Sequence, residues 1–278
     1  MHQGRVRIRG GELCEQNGLR VNVPLASRSV GAALLIGTLA ISPGVLAEQE
    51  LGQAASDPTA PLMNFQLQNS WSPEVHGTND SQNIVQFRTA LPYRLAGHQH
   101  IFRLTVPSLT EDPGGSTGLS DSTVFDLTTF EHSWGRSGFG VVALLPTGGE
   151  HRGAEQWGLG PAVGFAASRG SFLYGAFNQN IFSVAGEDDR EDVNLSILQP
   201  IINLGLGQGW SVGTSEMNIT YDWEHSDWSS LPVGGRLSKL VKLGDSPLQI
   251  SGLYEHNFAD DYAVPEDQFS LQFKLLVP

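Results

Sequence analysis

Apolar and polar residues alternate along most of the chain beyond residue 60, and this alternation limits its fold most strongly. In one run, Ile219, Tyr221 and Trp223 share a face of an extended chain, and Thr220 and Asp222 share the other. Successive side chains of a β-strand point to opposite faces, so a period of two indicates a strand between two different environments. About twelve such runs follow one another. The sequence therefore predicts an all-β chain.

The connections between the runs alternate between short and long. Tight turns centre near residues 97, 136, 169, 207 and 245. Longer polar loops lie between them, around Asn79, Gly115, Gly149, Asp189, Ser226 and Asp261. Bacterial outer-membrane barrels have short periplasmic turns and longer outer loops. We therefore predict a transmembrane antiparallel up-and-down β-barrel of about twelve strands over residues 62–278, with the long loops outside the cell.

A soluble β-sandwich also alternates, so other features must decide between the two. Aromatic residues lie near the predicted strand ends, where membrane girdles place them: Trp71, Tyr93, Trp157, Trp210, Trp223, Trp228 and Tyr254. The polar faces carry Gly, Ser, Thr, Gln and Arg, which suits a wet lumen. An open strand edge in lipid would leave backbone groups unpaired, so the sheet must close. These features favour a barrel.

The first 47 residues differ from the rest. Five arginines precede the apolar run 30–41, and Val45-Leu46-Ala47 follows it. Basic, apolar and then small residues form the pattern of a secretory signal peptide, and the apolar run is shorter than the roughly 20 residues of a membrane-spanning helix. We predict a signal peptide over 1–47 and a flexible lead-in over 48–61.

Removing residues 1–47 leaves eleven of the sixteen basic residues and twenty-seven of the twenty-nine acidic ones, a net charge of −16. An acidic chain without a basic cluster argues against a nucleic-acid partner. The single cysteine, Cys14, leaves with the signal, so a mature chain would have no disulfide and no thiolate metal site.

A set of Gln, Pro, Gly, Asp and Trp positions occurs in the order found in one family of bacterial outer-membrane proteins: Gln199-Pro200, Gly209-Trp210, Asp222-Trp223, Trp228, Pro232 and Gly234-Gly235. On these residues the chain, from about Leu62 to its end, resembles the family known as transporter proteins of the meta-pathway of phenol degradation and as "neuromedin-U-like" proteins. The resemblance implies an outer-membrane barrel. It also implies small-molecule transport, including hydrophobic or aromatic solutes.

The polar faces of the predicted strands supply the candidate lumen residues. They are Arg88, Arg94, Arg103, Asp126, Asp222 and Arg236. An arginine facing lipid near the midplane costs about 2–4 kcal/mol, which directs the first three arginines into the lumen. There they either bind anions or pair internally with Asp126, Asp222, Glu131 or Glu255; we favour internal pairing because buried charges are usually paired.

No other constellation predicts catalysis or a metal. His132 and Ser133 are adjacent on a strand and point to opposite faces, so they cannot form a nucleophile–base pair. His98 and His100 share a face but offer only two of the three or four ligands that zinc requires. The acidic loop 186–192 lacks the spacing of a calcium loop. We predict no catalytic residue, no metal and no cofactor.

Three functions remain open. The first is passive passage of small solutes through the lumen. The second is a structural or surface-interaction barrel with a plugged lumen, and the third and weakest is a membrane hydrolase. Expected partners are outer-membrane lipid and lipopolysaccharide, a small-molecule solute, and the barrel-assembly machinery. The last is expected because the amphipathic strand 268–277 resembles an assembly signal, although the chain ends in Val277-Pro278 and not in an aromatic residue.

Overall fold

The computed structural model describes residues 50–244 and 246–277, so the predicted signal peptide and its cleavage site lie outside the described residues. Beyond residue 62 the described chain is built from strands. They are β1 (Met63–Ser72), β2 (Gln82–Leu95), β3 (His98–Glu111), β4 (Gly118–Leu119), β5 (Ser122–His132), β6 (Gly135–Leu145), β7 (Gln156–Arg169), β8 (Phe172–Gly186), β9 (Asn194–Gly207), β10 (Trp210–Thr214), β11 (Ile219–Asp222), β12 (Asp227–Ser230), β13 (Pro232–Leu243), β14 (Ser246–Asn257) and β15 (Asp267–Val277).

The sheet closes on itself. β1 pairs antiparallel with both β2 and β15, so that Phe65 lies opposite Thr89 on one side and Leu275 on the other. β10 and β11 both pair with β9 and act as one strand of the barrel; β12 and β13 act as the next. β4 pairs only with β3. Counted over the described residues in this way, the barrel has twelve antiparallel strands, which confirms the predicted fold class.

The barrel is apolar outside and largely polar inside. On β15, Phe269 and Leu271 are 48% and 49% exposed, whereas Gln272 is 1% exposed. The buried glutamines Gln66 and Gln68 of β1 continue this polar inner wall, and Gln272 Nε2 donates to Gln68 Oε1 at 2.9 Å. A soluble sandwich would bury its apolar face and expose the polar one. The observed polarity is that of a barrel in lipid.

One part of the interior is apolar, which the alternation did not predict. Inward residues of neighbouring strands pack into a cluster that includes Phe125, Leu127, Val142 and Phe177. Leu127, Val142 and Phe177 are completely buried. The lumen is therefore filled on the side of β5 to β8, and the cavity that remains is lined by residues of β1, β2, β3, β9, β10, β13 and β15.

The short turns fall at one end of the barrel, here named the turn end, and the long loops at the other, the loop end. The turn that we predicted near residue 136 lies instead at Ser133-Trp134, because His132 and Gly135 already pair across the hairpin. At Gly135 the backbones of two neighbouring strands come close together. A Cβ at this position would lie 2.4 Å from the carbonyl oxygen of Ala166, so only glycine fits.

Residues 50–61 enter the turn end of the barrel. Residues 50–54 are helical, and no helix in the described part of the chain is long and apolar enough to cross a membrane. Ala55 and Ala60 are each 6% exposed and pack with Leu62 and the completely buried Leu276. The composition led us to expect a flexible lead-in here. In the structure this segment, named the N-terminal segment, lies inside the barrel.

Candidate functional site

Four cationic side chains line a cavity of about 80 Å³ inside the barrel: Arg88, Arg103, Arg236 and Lys274. The register brings them together, because Arg88 and Lys274 both lie opposite Gln66 of the intervening strand. Arg103 of β3 lies opposite Ala90, two residues from Arg88 along β2. We name these four side chains the cationic ring.

Glu216 is the carboxylate that faces the ring. Arg88 donates to it with both terminal nitrogens, Nη1 to Oε1 at 2.5 Å and Nη2 to Oε2 at 3.0 Å. The two side chains are only 13% and 18% exposed. Gln272 Nε2 lies 3.5 Å from Oε1 and supports the same carboxylate. The ion pair is therefore nearly buried and held by a fixed geometry.

Glu216 reaches the lumen because the strand is interrupted. β10 ends at Thr214 and β11 begins at Ile219, and Met217 between them has a positive φ of 38°. The sequence contains a signal for this break. The apolar face falls on even positions at Trp210 and Val212 and on odd positions at Ile219, and such a change of phase requires an irregularity in the strand.

The ring carries more positive charge than its surroundings neutralise. Arg103 Nε and Arg236 Nε are buried and have no hydrogen-bond partner among residues 50–244 and 246–277. The Arg103 guanidinium lies 4.7 Å from the centre of the Phe125 ring, and Lys274 Nζ donates to the carbonyl oxygen of Ala55 at 2.8 Å. Buried charge is costly unless it is paired, so an anion in the cavity would be stabilised by these side chains.

The N-terminal segment covers the ring from the turn end. Arg236 Nη2 donates to Ser56 Oγ at 3.0 Å, and Gln53 Nε2 donates to the carbonyl oxygen of Gly170 at 2.9 Å. Asp57 accepts from Arg136 Nη1 at 2.9 Å. The segment therefore contacts several widely separated strands at once and narrows the lumen.

Asp57 is an acidic member of the cavity lining. Burial raises the pKa of its carboxyl group, and the hydrogen bonds from Thr59 and the charge of Arg136 act in the opposite direction. Its side chain is 8% exposed. Asp57 forms its ion pair with Arg136, which is not part of the ring.

The structure corrects three of the predicted lumen residues. Arg94 is exposed at the turn end of β2 and does not line the cavity. Asp126 lies on the outer face, because its neighbours Phe125 and Leu127 point into the apolar cluster. Asp222 lies at the loop end of β11 and contacts His225, Nδ1 to Oδ2 at 2.9 Å.

Asp126 has partners of its own on the outside of the barrel. Its carboxylate accepts from the hydroxyl of Tyr93 and contacts His100 Nδ1 at 2.9 Å. The expected internal pairs of Asp126 and Asp222 with the lumenal arginines are therefore wrong. Of the other two proposed partners, Glu131 binds Arg136 and Glu255 Oε1 accepts from the backbone N–H of Met217.

His132 contacts a serine, but the geometry does not complete a catalytic site. Its Nε2 lies 2.8 Å from Ser137 Oγ, and its ring stacks on Trp134 at 4.8 Å. A nucleophilic serine needs a base that a third group orients. Within the described chain no carboxylate or amide side chain forms a hydrogen bond to His132.

No protein-family model and no curated protein matches the sequence. The resemblance to the phenol-degradation family therefore stays an expectation. The fold matches solved structures. An outer membrane channel from Pseudomonas putida F1 is 12% identical, covers 78% of this chain and 94% of its own, and has a TM-score of 0.55.

The outer membrane phospholipase of Salmonella typhi is 11% identical and covers 86% of this chain and 99% of its own, with a TM-score of 0.44. That TM-score is too low to carry an argument. The first match, at its low identity, shows a shared outer-membrane barrel fold and does not extend to function.

Proposed function

We propose that this protein is an outer-membrane channel through which small anionic solutes cross the barrel lumen passively. The observation that carries the proposal is the cationic ring. Arg88 is paired with Glu216, whereas Arg103, Arg236 and Lys274 form no ion pair with any carboxylate in the described part of the chain. A ring of basic side chains in a narrow pore attracts anions and repels cations. The fold that this chain shares with a channel of Pseudomonas putida F1 supports the proposal.

Substrate selection follows from the size and charge of the open part of the lumen. The cavity of about 80 Å³ has room for only a few water molecules. It admits a small anion such as chloride or a short carboxylate once the N-terminal segment moves aside. Arginine binds carboxylates with two parallel hydrogen bonds. The buried Nε groups of Arg103 and Arg236 have no partner among the described residues and would become available for such contacts when the segment moves.

The experiment measures ion preference in a planar bilayer. The purified protein is reconstituted, and the reversal potential is recorded across a potassium chloride gradient. The test variant carries Arg103→Gln with Arg236→Gln. The matched control carries Arg94→Gln with Arg169→Gln, which removes the same charge from exposed positions at the turn end.

We expect anion preference in the unmodified protein, its loss in the test variant, and no change in the control. A cation preference in the unmodified protein would refute the proposal, as would equal effects of the two variants.

A second function, a plugged barrel with a structural role, is favoured by the small cavity and by the docked N-terminal segment. The same bilayer measurement separates the two. A protein that conducts neither in its complete form nor after removal of residues 48–57 is a structural barrel and not a channel.

A further inference from the structure

Three potential metal ligands meet at the loop end, on the outside of the barrel. His256 of β14 lies opposite Asp267 of β15, and Glu266 directly precedes Asp267. Each residue offers one ligand atom, and the three atoms lie within 4.8 Å of one another. Within the described residues this is the only such group of three histidine or acidic side chains. It is separate from the cationic ring.

The backbone around the three ligands is fixed. The N–H of Glu266 donates to the carbonyl oxygen of Glu74 at 3.0 Å, and its own carbonyl oxygen accepts from the N–H of Asn257 at 2.7 Å. Val75 pairs with Pro265 in an isolated bridge. Glu266 is therefore held between two loops and the end of β14, so little ordering is needed when an ion binds.

The side chains are also positioned before any ion binds. His256 Nδ1 lies 2.9 Å from Asp267 Oδ1, and the hydroxyl of Tyr254 donates to the same oxygen at 2.7 Å. This hydrogen bond and the one from Tyr254 hold the His256 and Asp267 side chains next to each other, and an ion bound between them would replace the contact between His256 and Asp267. The histidine and Asp267 side chains are 33% and 36% exposed, so an ion has access from the solvent.

We propose that His256, Glu266 and Asp267 bind a divalent transition-metal ion, with zinc as the ion of choice. An imidazole nitrogen with two carboxylates is a donor set for zinc and its first-row neighbours, whereas calcium and magnesium prefer oxygen ligands alone. Two bonds of about 2.0–2.2 Å to one ion span at most about 4.4 Å, so the side chains must move slightly closer together when the ion binds. Three protein ligands leave a fourth position for water or a ligand from outside.

A bound ion would join the ends of β14 and β15 to the loop between them. The loop 258–266 and the loop 73–81 already contact each other through Val75 and Pro265. Metal binding would therefore stiffen one side of the loop end, on the outer surface of the barrel. This consequence does not depend on the channel proposal.

The test uses the complete protein in detergent, stripped with a chelator and titrated with zinc chloride by calorimetry. The test variants are His256→Ala and Glu266→Gln. The control is His225→Ala, because His225 contacts Asp222 at the same distance of 2.9 Å, but the described residues place no third ligand beside that pair. The electrophoretic mobilities of heated and unheated samples are compared for each variant, since a folded barrel migrates differently from the unfolded chain.

We expect one zinc ion per chain and a higher thermal unfolding temperature with zinc. The affinity for zinc should fall at least about 10- to 100-fold in each test variant, which is the loss seen when a residue that supports a metal ligand is removed. In the control the affinity should stay unchanged. The proposal is overturned if the unmodified protein binds no zinc ion saturably, if folded His256→Ala binds as tightly, or if His225→Ala loses the same ion.

Discussion

Arg88 and Glu216 form a two-bond ion pair inside the barrel, between residues 128 positions apart in the sequence. Arg88 lies on a regular strand, whereas Glu216 lies in the break between β10 and β11. The pair neutralises one member of the cationic ring, and within the described residues the other three members form no ion pair with a carboxylate.

Glu216→Gln should destabilise the protein by about 3 kcal/mol, because removing one partner of a buried ion pair leaves an uncompensated charge. The thermal unfolding temperature in detergent measures the change. The double variant Arg88→Met with Glu216→Gln removes both charges and should be less destabilised than the single one. Equal stability of Glu216→Gln and the unmodified protein would contradict the geometry described here.

Asp126→Ala should leave conductance and ion preference unchanged, because Asp126 lies on the outer face with Tyr93 and His100. It should lower stability by about 1–3 kcal/mol, since the hydroxyl of Tyr93 loses its acceptor. Bilayer recordings and thermal unfolding check both parts. A change in ion preference as large as that of the double arginine variant would place Asp126 in the lumen and refute the outward position.

Removal of residues 48–57 should raise single-channel conductance, because the N-terminal segment covers the ring through Gln53 and Ser56. The remaining contacts of Lys274 and Arg236 with this segment would be lost at the same time. A suitable control is Gln53→Ala, which weakens one contact and should raise conductance less. Unchanged conductance after the removal would mean that the segment does not limit the pore.

Acidification should keep the N-terminal segment docked. Because burial raises the pKa of Asp57 above its ordinary value of 3.8, the docked state binds the proton more tightly than a released segment does. Docking therefore gains stability as the pH falls through the raised pKa, and this gain is lost as the pH rises through it. We expect conductance to fall from about pH 7 to about pH 4, and Asp57→Asn to remove that dependence. A rise in conductance on acidification would contradict the sign.

The loops should face the outside of the cell and the turns the periplasm. Removal of Cys14 with the signal would make the mature chain free of cysteine, so single cysteines report the orientation. An impermeant thiol reagent applied to whole cells should label Asp189→Cys in a long loop and not Arg169→Cys at a short turn. The reverse pattern would invert the topology.

The sequence alone determined the strands and most of their two faces, because strand periodicity is a local property. Phe269, Leu271 and Phe273 lie outward and Ser270 and Gln272 inward as the alternation indicated. Arg88 and Arg103 line the lumen for the same reason, since both occupy the polar face of their strands.

Local alternation could not determine which face of β5 points into the lumen. Its two faces both carry apolar residues, and only the packing of Leu127 against inward residues of distant strands, such as Phe177, sends Asp126 outward. The sequence also could not identify Glu216 as the partner of Arg88. Glu216 belongs to an irregular segment, and the position of that segment depends on the strands on either side.

The N-terminal segment shows most clearly what only the tertiary structure decided. Its small and polar residues have the composition of a linker, and by themselves they bury too little apolar surface to fold. They take an ordered path because Arg236 and Lys274, 180 and 219 positions away from their partners, bind Ser56 and the carbonyl oxygen of Ala55. The sequence shows that these donors and acceptors are present, but only closure of the barrel brings them within hydrogen-bond distance of one another.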